Sequence, residues 1–173
     1  MNPLLRLQMG ERRVWARGKS CETNPAKHLE TMNQHQTDLV QRSFARASRV
    51  GPHVAATFYA ELFAIEPSLR ALFRCDMIVQ GEKLMTMLTR IVAGLNEPAT
   101  MLPELGDLAV RHVGYGVEAR HYAVVGVALL RTLQHELGGD FTPETRAAWA
   151  GAYQLISDAM RQAAYEPEAE LKL

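Results

Sequence analysis

Residues 111–117 read RHVGYGV, and they close the apolar stripe of a short predicted helix. Leu105, Leu108 and His112 follow one another at helical spacing, so an imidazole falls on the inward face of that helix. A histidine on an apolar face is more often a satisfied core residue than a metal ligand. Here two glycines end the helix directly after the histidine, which places it at the mouth of a gap between helices. His112 is therefore a candidate metal ligand, with ordinary core packing as the alternative.

Three further polar side chains stand in or beside predicted apolar stripes. Gln80 is in phase with Met77 and Leu84, Tyr59 follows a phenylalanine in the middle of an apolar helix, and Tyr122 opens a stripe of its own. A buried amide or hydroxyl needs a hydrogen-bond partner, so each of these side chains is a candidate site residue. Each also has a plain alternative. Gln80 would satisfy a neighbour near the surface, Tyr59 would point its hydroxyl into water, and Tyr122 would be ordinary core packing.

Glycine, proline and capping residues divide the chain into predicted helices. No run of alternating β-branched residues is flanked by hairpin turn signals, so strands are not expected. Pro52 suits the first position of a helix, Pro67 ends one, and Asp76 and Thr142 are candidate N-caps. The chain is thus predicted to be all-α. The predicted helices cover 34–48, 52–66, 77–95, 101–113, 118–137 and 143–165, with a short turn at 67–73.

Length and composition indicate one folded domain with extensions. The chain has 173 residues, of which 47% are hydrophobic, enough for a real core. We expect a flexible N-terminal extension over 1–32, a folded domain over 33–166 and a C-terminal tail over 167–173. Lys and Arg together number 19, as do Asp and Glu, so the net charge is zero. This balance gives no support for nucleic acid or an anionic membrane as a partner.

Several classes of site and location are excluded by what the sequence lacks. The two cysteines, Cys21 and Cys75, lie in no CxxC or CxxCH pattern, which excludes a Cys-rich zinc site and covalent attachment of a cofactor. No apolar run approaches the roughly 20 residues that cross a bilayer. No secretory segment is recognisable, so a cytoplasmic location is expected. Five histidines have no partner at metal-ligand spacing in the sequence: His28, His35, His53, His121 and His135.

These residues and their order resemble the globin family, in particular bacterial single-domain globins and the haem domain of flavohaemoglobins. Residues 58–63 (FYAELF) look like the second globin helix, and residues 80–85 (QGEKLM) are similar to the distal helix. Residues 111–117 resemble the proximal turn, and residues 148–153 resemble the last helix. The likeness covers about 34–165. It implies an all-α globin fold, a helical sandwich around haem.

The resemblance also implies a cofactor and the residues around it. The cofactor is haem b, iron protoporphyrin IX, with His112 as the axial iron ligand. Tyr59 and Gln80 occupy the positions that face a bound ligand on the opposite side, and whether Tyr59, Gln80 or Lys83 coordinates iron in the ligand-free state stays open. Lys83 is expected to pair with a haem propionate, with a solvated lysine as the alternative. The implied haem contacts are Phe73, Lys83, Leu84, Leu108, Val117 and Tyr122.

The function implied by the resemblance is reversible binding of O₂, or of NO or CO, with tight O₂ binding and slow release. Three alternatives stay open: a nitric oxide dioxygenase served by an external reductase, a haem-based gas sensor, and a haem-free helical regulatory module. An external reductase is expected because the reductase domain of flavohaemoglobins is not among these residues. A homodimer also stays open. One departure from the family is Ala163 and Ala164, which stand where a glutamate of the proximal His–Tyr–Glu group is sought.

Overall fold

A computed structural model describes residues 32–74 and 76–165, and every regular element within them is helical. The all-α prediction is confirmed. Apart from Met32, the predicted N-terminal extension lies outside the described residues, as do Cys75 and the predicted tail. The α-helices are α1 (Gln34–Ala47), α2 (Gly51–Ile65), α3 (Met77–Gly94), α4 (Leu102–Gly114), α5 (Ala119–Leu137) and α6 (Pro143–Tyr165).

The predicted capping residues explain where two of the helices begin. The Asp76 carboxylate accepts a hydrogen bond from the backbone N–H of Ile78 at 2.7 Å, which satisfies a free donor of the first turn of α3. The Thr142 hydroxyl accepts one from the N–H of Thr145 at 3.2 Å at the start of α6. Both predicted N-caps are confirmed.

The break between α1 and α2 differs from the prediction. The sequence placed it at a glycine–proline pair, whereas the structure places a 3₁₀ segment, Ser48–Val50, between the two helices. Gly51 is already helical, with φ −39° and ψ −53°. The glycine therefore continues the backbone instead of breaking it, and Pro52 falls in the first turn of α2, where a missing N–H costs nothing.

The helices pack in a crossed arrangement around one core. Helix α2 packs across α5 and against α3, while α1 and α4 both pack on α6. A buried hydrogen bond from Trp149 Nε1 to Ser43 Oγ, 2.9 Å long, joins α6 to α1. Helices α3 and α4 border a cavity whose other walls come from α5 and α6. No helix of residues 32–74 and 76–165 is both long and apolar enough to cross a membrane.

Helices α5 and α6 approach closely at Gly126. A Cβ atom at this position would lie 2.6 Å from the ring of Tyr153. That ring is held in place because its hydroxyl donates a 2.5 Å hydrogen bond to the carbonyl oxygen of Tyr122. Even a methyl group at this position would therefore have to displace a fixed aromatic ring.

Gly126→Ala is expected to lower the free energy of unfolding by about 1–2 kcal/mol, because overpacking outweighs the gain in helix propensity. Gly151→Ala is the matched control, since that exposed glycine of α6 has nothing within 4 Å of an added Cβ. The control is expected to raise stability by about 0.5–1 kcal/mol. Urea unfolding followed by circular dichroism measures the free energy of unfolding of both variants. Equal changes of the same sign in the two variants would contradict the close packing at Gly126.

Candidate functional site

The cavity between α3 and α4 holds about 930 Å³ of space, counting its opening to solvent. The wall is predominantly apolar, with α3 and α4 on two sides and α5 and α6 completing it. Of the residues that the sequence analysis assigned to the site, five line the cavity: Leu84, Leu108, His112, Val117 and Tyr122.

His112 lies in the last turn of α4 with its side chain in the cavity wall. Its Nδ1 is 2.8 Å from the carbonyl oxygen of Leu108. Because a carbonyl oxygen only accepts hydrogen bonds, Nδ1 carries the proton and Nε2 keeps a free lone pair. Burial lowers the pKa of His112, so the ring is neutral at pH 7. The structure thus places an oriented, neutral imidazole in the wall of an apolar cavity.

The turn after α4 returns the chain to the cavity. Gly116 has a φ of +86°, a conformation that side-chain-bearing residues rarely adopt. The N–H of Val117 then donates to the carbonyl oxygen of His112 at 3.0 Å. The Tyr165 hydroxyl donates to the carbonyl oxygen of Val117 at 2.6 Å, which ties this turn to the end of α6. Gly116, and not its neighbour Gly114, is the glycine that the turn requires.

Tyr122, in the first turn of α5, is buried in the cavity wall. Its hydroxyl is the one buried side-chain polar atom of the described residues that has no hydrogen-bond partner. Burial, reinforced by nearby Tyr165, raises the pKa of Tyr122 to about 12. The hydroxyl is therefore a neutral donor that remains available to a group held in the cavity.

We expect Tyr122→Phe to leave the stability of the ligand-free protein unchanged or to raise it by about 1 kcal/mol, because it removes an unsatisfied buried hydroxyl. Tyr153→Phe is the matched control on the same interface. That variant loses a buried hydrogen bond and is expected to cost about 1 kcal/mol. Thermal unfolding of the two variants and the parent chain measures these changes in stability. A large destabilisation by Tyr122→Phe would mean that its hydroxyl has a partner.

A second cluster forms where α2 meets the start of α3. Tyr59 is 6% exposed, and its ring lies 5.3 Å from that of Phe73 and 5.9 Å from that of Phe63. The Gln80 side chain lies near the Tyr59 hydroxyl and lowers its pKa. Burial raises the pKa of Tyr59 and outweighs this effect, so the phenol stays protonated. The structure therefore brings Tyr59, Gln80 and Phe73 together.

This second cluster does not itself line the cavity. Phe58, the neighbour of Tyr59 on α2, does line it and joins the two regions. Phe58 and Tyr59 also contact each other edge to face, with ring centroids 5.2 Å apart. Lys83, one turn further along α3 than Gln80, is exposed. The predicted residues thus fall into a cavity wall, an adjoining polar–aromatic cluster and one surface lysine.

Sequence reasoning missed His121, which is buried and lines the cavity. Its Nδ1 accepts a 3.0 Å hydrogen bond from the backbone N–H of Glu118, which caps α5. Since Nδ1 accepts this bond, the proton of the His121 ring is on Nε2. The Nε2 atom of His121 is therefore a donor, whereas Nε2 of His112 is an acceptor. A Glu followed three residues later by a side-chain acceptor is a capping pattern that could have identified this role from the sequence.

His53 and His135 have no partner at metal-ligand spacing in the sequence, but the fold brings them together. Their ring nitrogens and a carboxylate oxygen of Glu136 all lie within 4.8 Å of one another. The sequence does not predict this cluster, because His53 belongs to α2 and the other two residues belong to α5. Only the crossing of these two helices brings the three side chains together.

Comparisons with known proteins find relatives of this chain. The profile of the family described as Globin matches residues 56–160. The flavohemoprotein of Bordetella parapertussis is 32% identical over 111 residues, which cover 62% of this chain and 28% of the relative. The flavohemoprotein of Chromobacterium violaceum is 26% identical over 132 residues, which cover 75% of this chain and 33% of the relative. The chain thus spans about a third or less of the length of these relatives.

A solved structure shares the fold. It is an engineered carbene transferase from Rhodothermus marinus whose name places it among nitric oxide dioxygenases. The TM-score is 0.71 at 24% sequence identity, and the match covers 79% of this chain and 95% of the other.

Proposed function

The chain belongs to the globin family, and on that premise we propose that it binds haem b in the cavity and reversibly binds a diatomic gas, with O₂, NO and CO as the candidates. The observation that carries this proposal is His112 in the cavity wall, with Nδ1–H bonded to the Leu108 carbonyl and Nε2 free. A neutral imidazole held in this way is the usual axial ligand of haem iron.

The residues present fit a haem group. A large, predominantly apolar cavity suits a flat hydrophobic ring, and the unpartnered Tyr122 hydroxyl indicates that a group with polar atoms completes this site. His112 would ligate the iron, and Leu84, Leu108 and Val117 would pack against the ring. When bound, haem supplies an iron with one further position for the gas.

The chain's own residues set the properties of this site. The Leu108 carbonyl fixes the tautomer and orientation of His112 and makes its Nε2 a stronger base. Tyr59 and Gln80, in the cluster that adjoins the cavity at Phe58, would supply O–H and N–H donors to the gas. A glutamine is a poor iron ligand, so Gln80 would leave the iron open to the gas. We extend the proposal to Phe73 as an aromatic haem contact and to Lys83 as the partner of a haem propionate.

Spectroscopy of the purified full chain tests the proposal. Ferric, ferrous and CO-bound forms are expected to show strong Soret bands, and the ferrous form is expected to be five-coordinate with a histidine ligand. A correctly folded chain that is colourless and does not take up added haemin would overturn the proposal. It would instead favour a haem-free regulatory module.

A second function is favoured by the flavohemoprotein relatives. It is nitric oxide dioxygenation, in which NO, O₂ and one electron give nitrate, with an NAD(P)H-dependent reductase as the electron source. Rapid NO-driven loss of the oxygenated spectrum, with turnover only when a reductase and NAD(P)H are added, would establish this activity. Reversible O₂ binding without such turnover would leave gas binding as the function.

A further inference from the structure

Two imidazoles and a carboxylate meet on the surface where the first turn of α2 crosses the last turn of α5. His53 Nε2 lies 3.6 Å from Glu136 Oε1, and His135 Nδ1 lies 3.3 Å from the same oxygen. The two imidazole rings are 6.4 Å apart between centroids. Three side chains of metal-ligating type therefore converge from two helices that are not adjacent in the chain.

The carboxylate at the centre of this cluster is held in place. The Glu136 side chain is only 5% exposed, and its Oε1 accepts a 2.7 Å hydrogen bond from the Thr57 hydroxyl. Oε1 keeps a second lone pair, so Thr57 would orient the carboxylate while the same oxygen binds an ion.

The spacing of these atoms also suits a metal ion. His135 makes only a long hydrogen bond of 3.3 Å to Glu136, and the 3.6 Å distance from His53 exceeds the usual 2.7–3.2 Å of N–H···O bonds. Both distances match the roughly 3.4 Å that separates neighbouring ligand atoms around a tetrahedral Zn²⁺ with bonds of about 2.0–2.1 Å. By contrast, the exposed pair His35–Glu144, 2.9 Å apart, has the length of an ordinary hydrogen bond.

We propose that His53, His135 and Glu136 bind a divalent zinc-type cation that cross-links α2 to α5. Both histidine side chains are about two-thirds exposed, so an ion can reach them from solvent, and water can take the fourth position. The 13 positions from Tyr122 to His135 correspond to about 20 Å along a helix. The cation site is therefore separate from the cavity and independent of the function proposed for it.

Isothermal titration of the purified full chain with Zn²⁺ tests this inference. His53→Ala and His135→Ala are each expected to weaken binding by more than about 100-fold, and Thr57→Val by about 10–100-fold. Zn²⁺ is also expected to raise the Tm of the parent chain and not of either histidine variant. His35→Ala is the matched control, since it removes an exposed, Glu-paired histidine that has no third candidate ligand within residues 32–74 and 76–165.

Glu136→Gln serves as a second variant that keeps the size of the side chain and its contact with Thr57. It is expected to abolish binding while circular dichroism shows an unchanged fold. Zn²⁺ affinity that is equal in the parent, His53→Ala, His135→Ala and Glu136→Gln chains would overturn the proposal, as would the absence of binding by the parent chain.

Discussion

The His112→Gly variant is expected to bind haem much more weakly than the parent chain. The affinity should fall by more than about 100-fold, because even a residue that only orients a metal ligand is worth about 10–100-fold. In the parent chain the imidazole is fixed by its 2.8 Å contact with the Leu108 carbonyl and lies in the cavity wall. The variant keeps the apolar cavity but lacks the imidazole at this position. Transfer of haem to an acceptor apoprotein measures the effect.

Exogenous imidazole provides the specificity test for this variant. Glycine leaves space at the end of α4, so added imidazole is expected to restore a histidine-like spectrum. A variant that had merely unfolded would not recover. If His112→Gly retained a native five-coordinate histidine spectrum without added imidazole, the assignment of the axial ligand would be wrong.

His121→Gln is the matched control, because His121 lines the same cavity. A glutamine at the third position of α5 can still accept a hydrogen bond from the N–H of Glu118, so the helix cap is kept. This variant is expected to leave the spectrum and haem affinity nearly unchanged. Loss of the Soret band in His121→Gln, with retention in His112→Gly, would exchange the roles of the two histidines.

Tyr59→Phe is expected to speed O₂ release by about 5- to 30-fold, and Tyr59→Phe combined with Gln80→Leu by about 30- to 700-fold. Each donor is expected to contribute about 1–2 kcal/mol, and 1.4 kcal/mol corresponds to a factor of ten. Phe keeps the ring packing against Phe73 and Phe63 and removes only the hydroxyl. Stopped-flow displacement of O₂ by CO measures the rate.

Two controls separate ligand stabilisation from general damage. Tyr115→Phe removes a hydroxyl from an exposed tyrosine in the turn after α4 and is expected to change nothing. CO accepts hydrogen bonds weakly, so its release should change much less than that of O₂. Unchanged O₂ release in the double variant would show that Tyr59 and Gln80 serve only to satisfy each other.

The order of the helices could be read from the sequence because local chemistry decides it. Pro67 ends α2, the Asp76 carboxylate caps α3, and Thr142 caps α6, each through contacts within a few residues. Most helix ends agree with the prediction to within one residue for that reason. The break between α1 and α2 lies one residue earlier than predicted, and Gly51 is helical after a 3₁₀ turn, a detail that residue propensities alone do not specify.

The sequence by itself determined an all-α chain of the globin family and the helix that carries His112, since helical period and turn residues are local properties. Only the tertiary structure decided which nitrogen of His112 is free, because that depends on the Leu108 carbonyl at 2.8 Å. It also decided that the hydroxyl of Tyr122 is unpartnered and that His53 meets His135 and Glu136. The first relation depends on the direction of one side chain within α4, whereas the meeting of His53 with Glu136 joins residues distant in the chain and arises only when α2 and α5 cross.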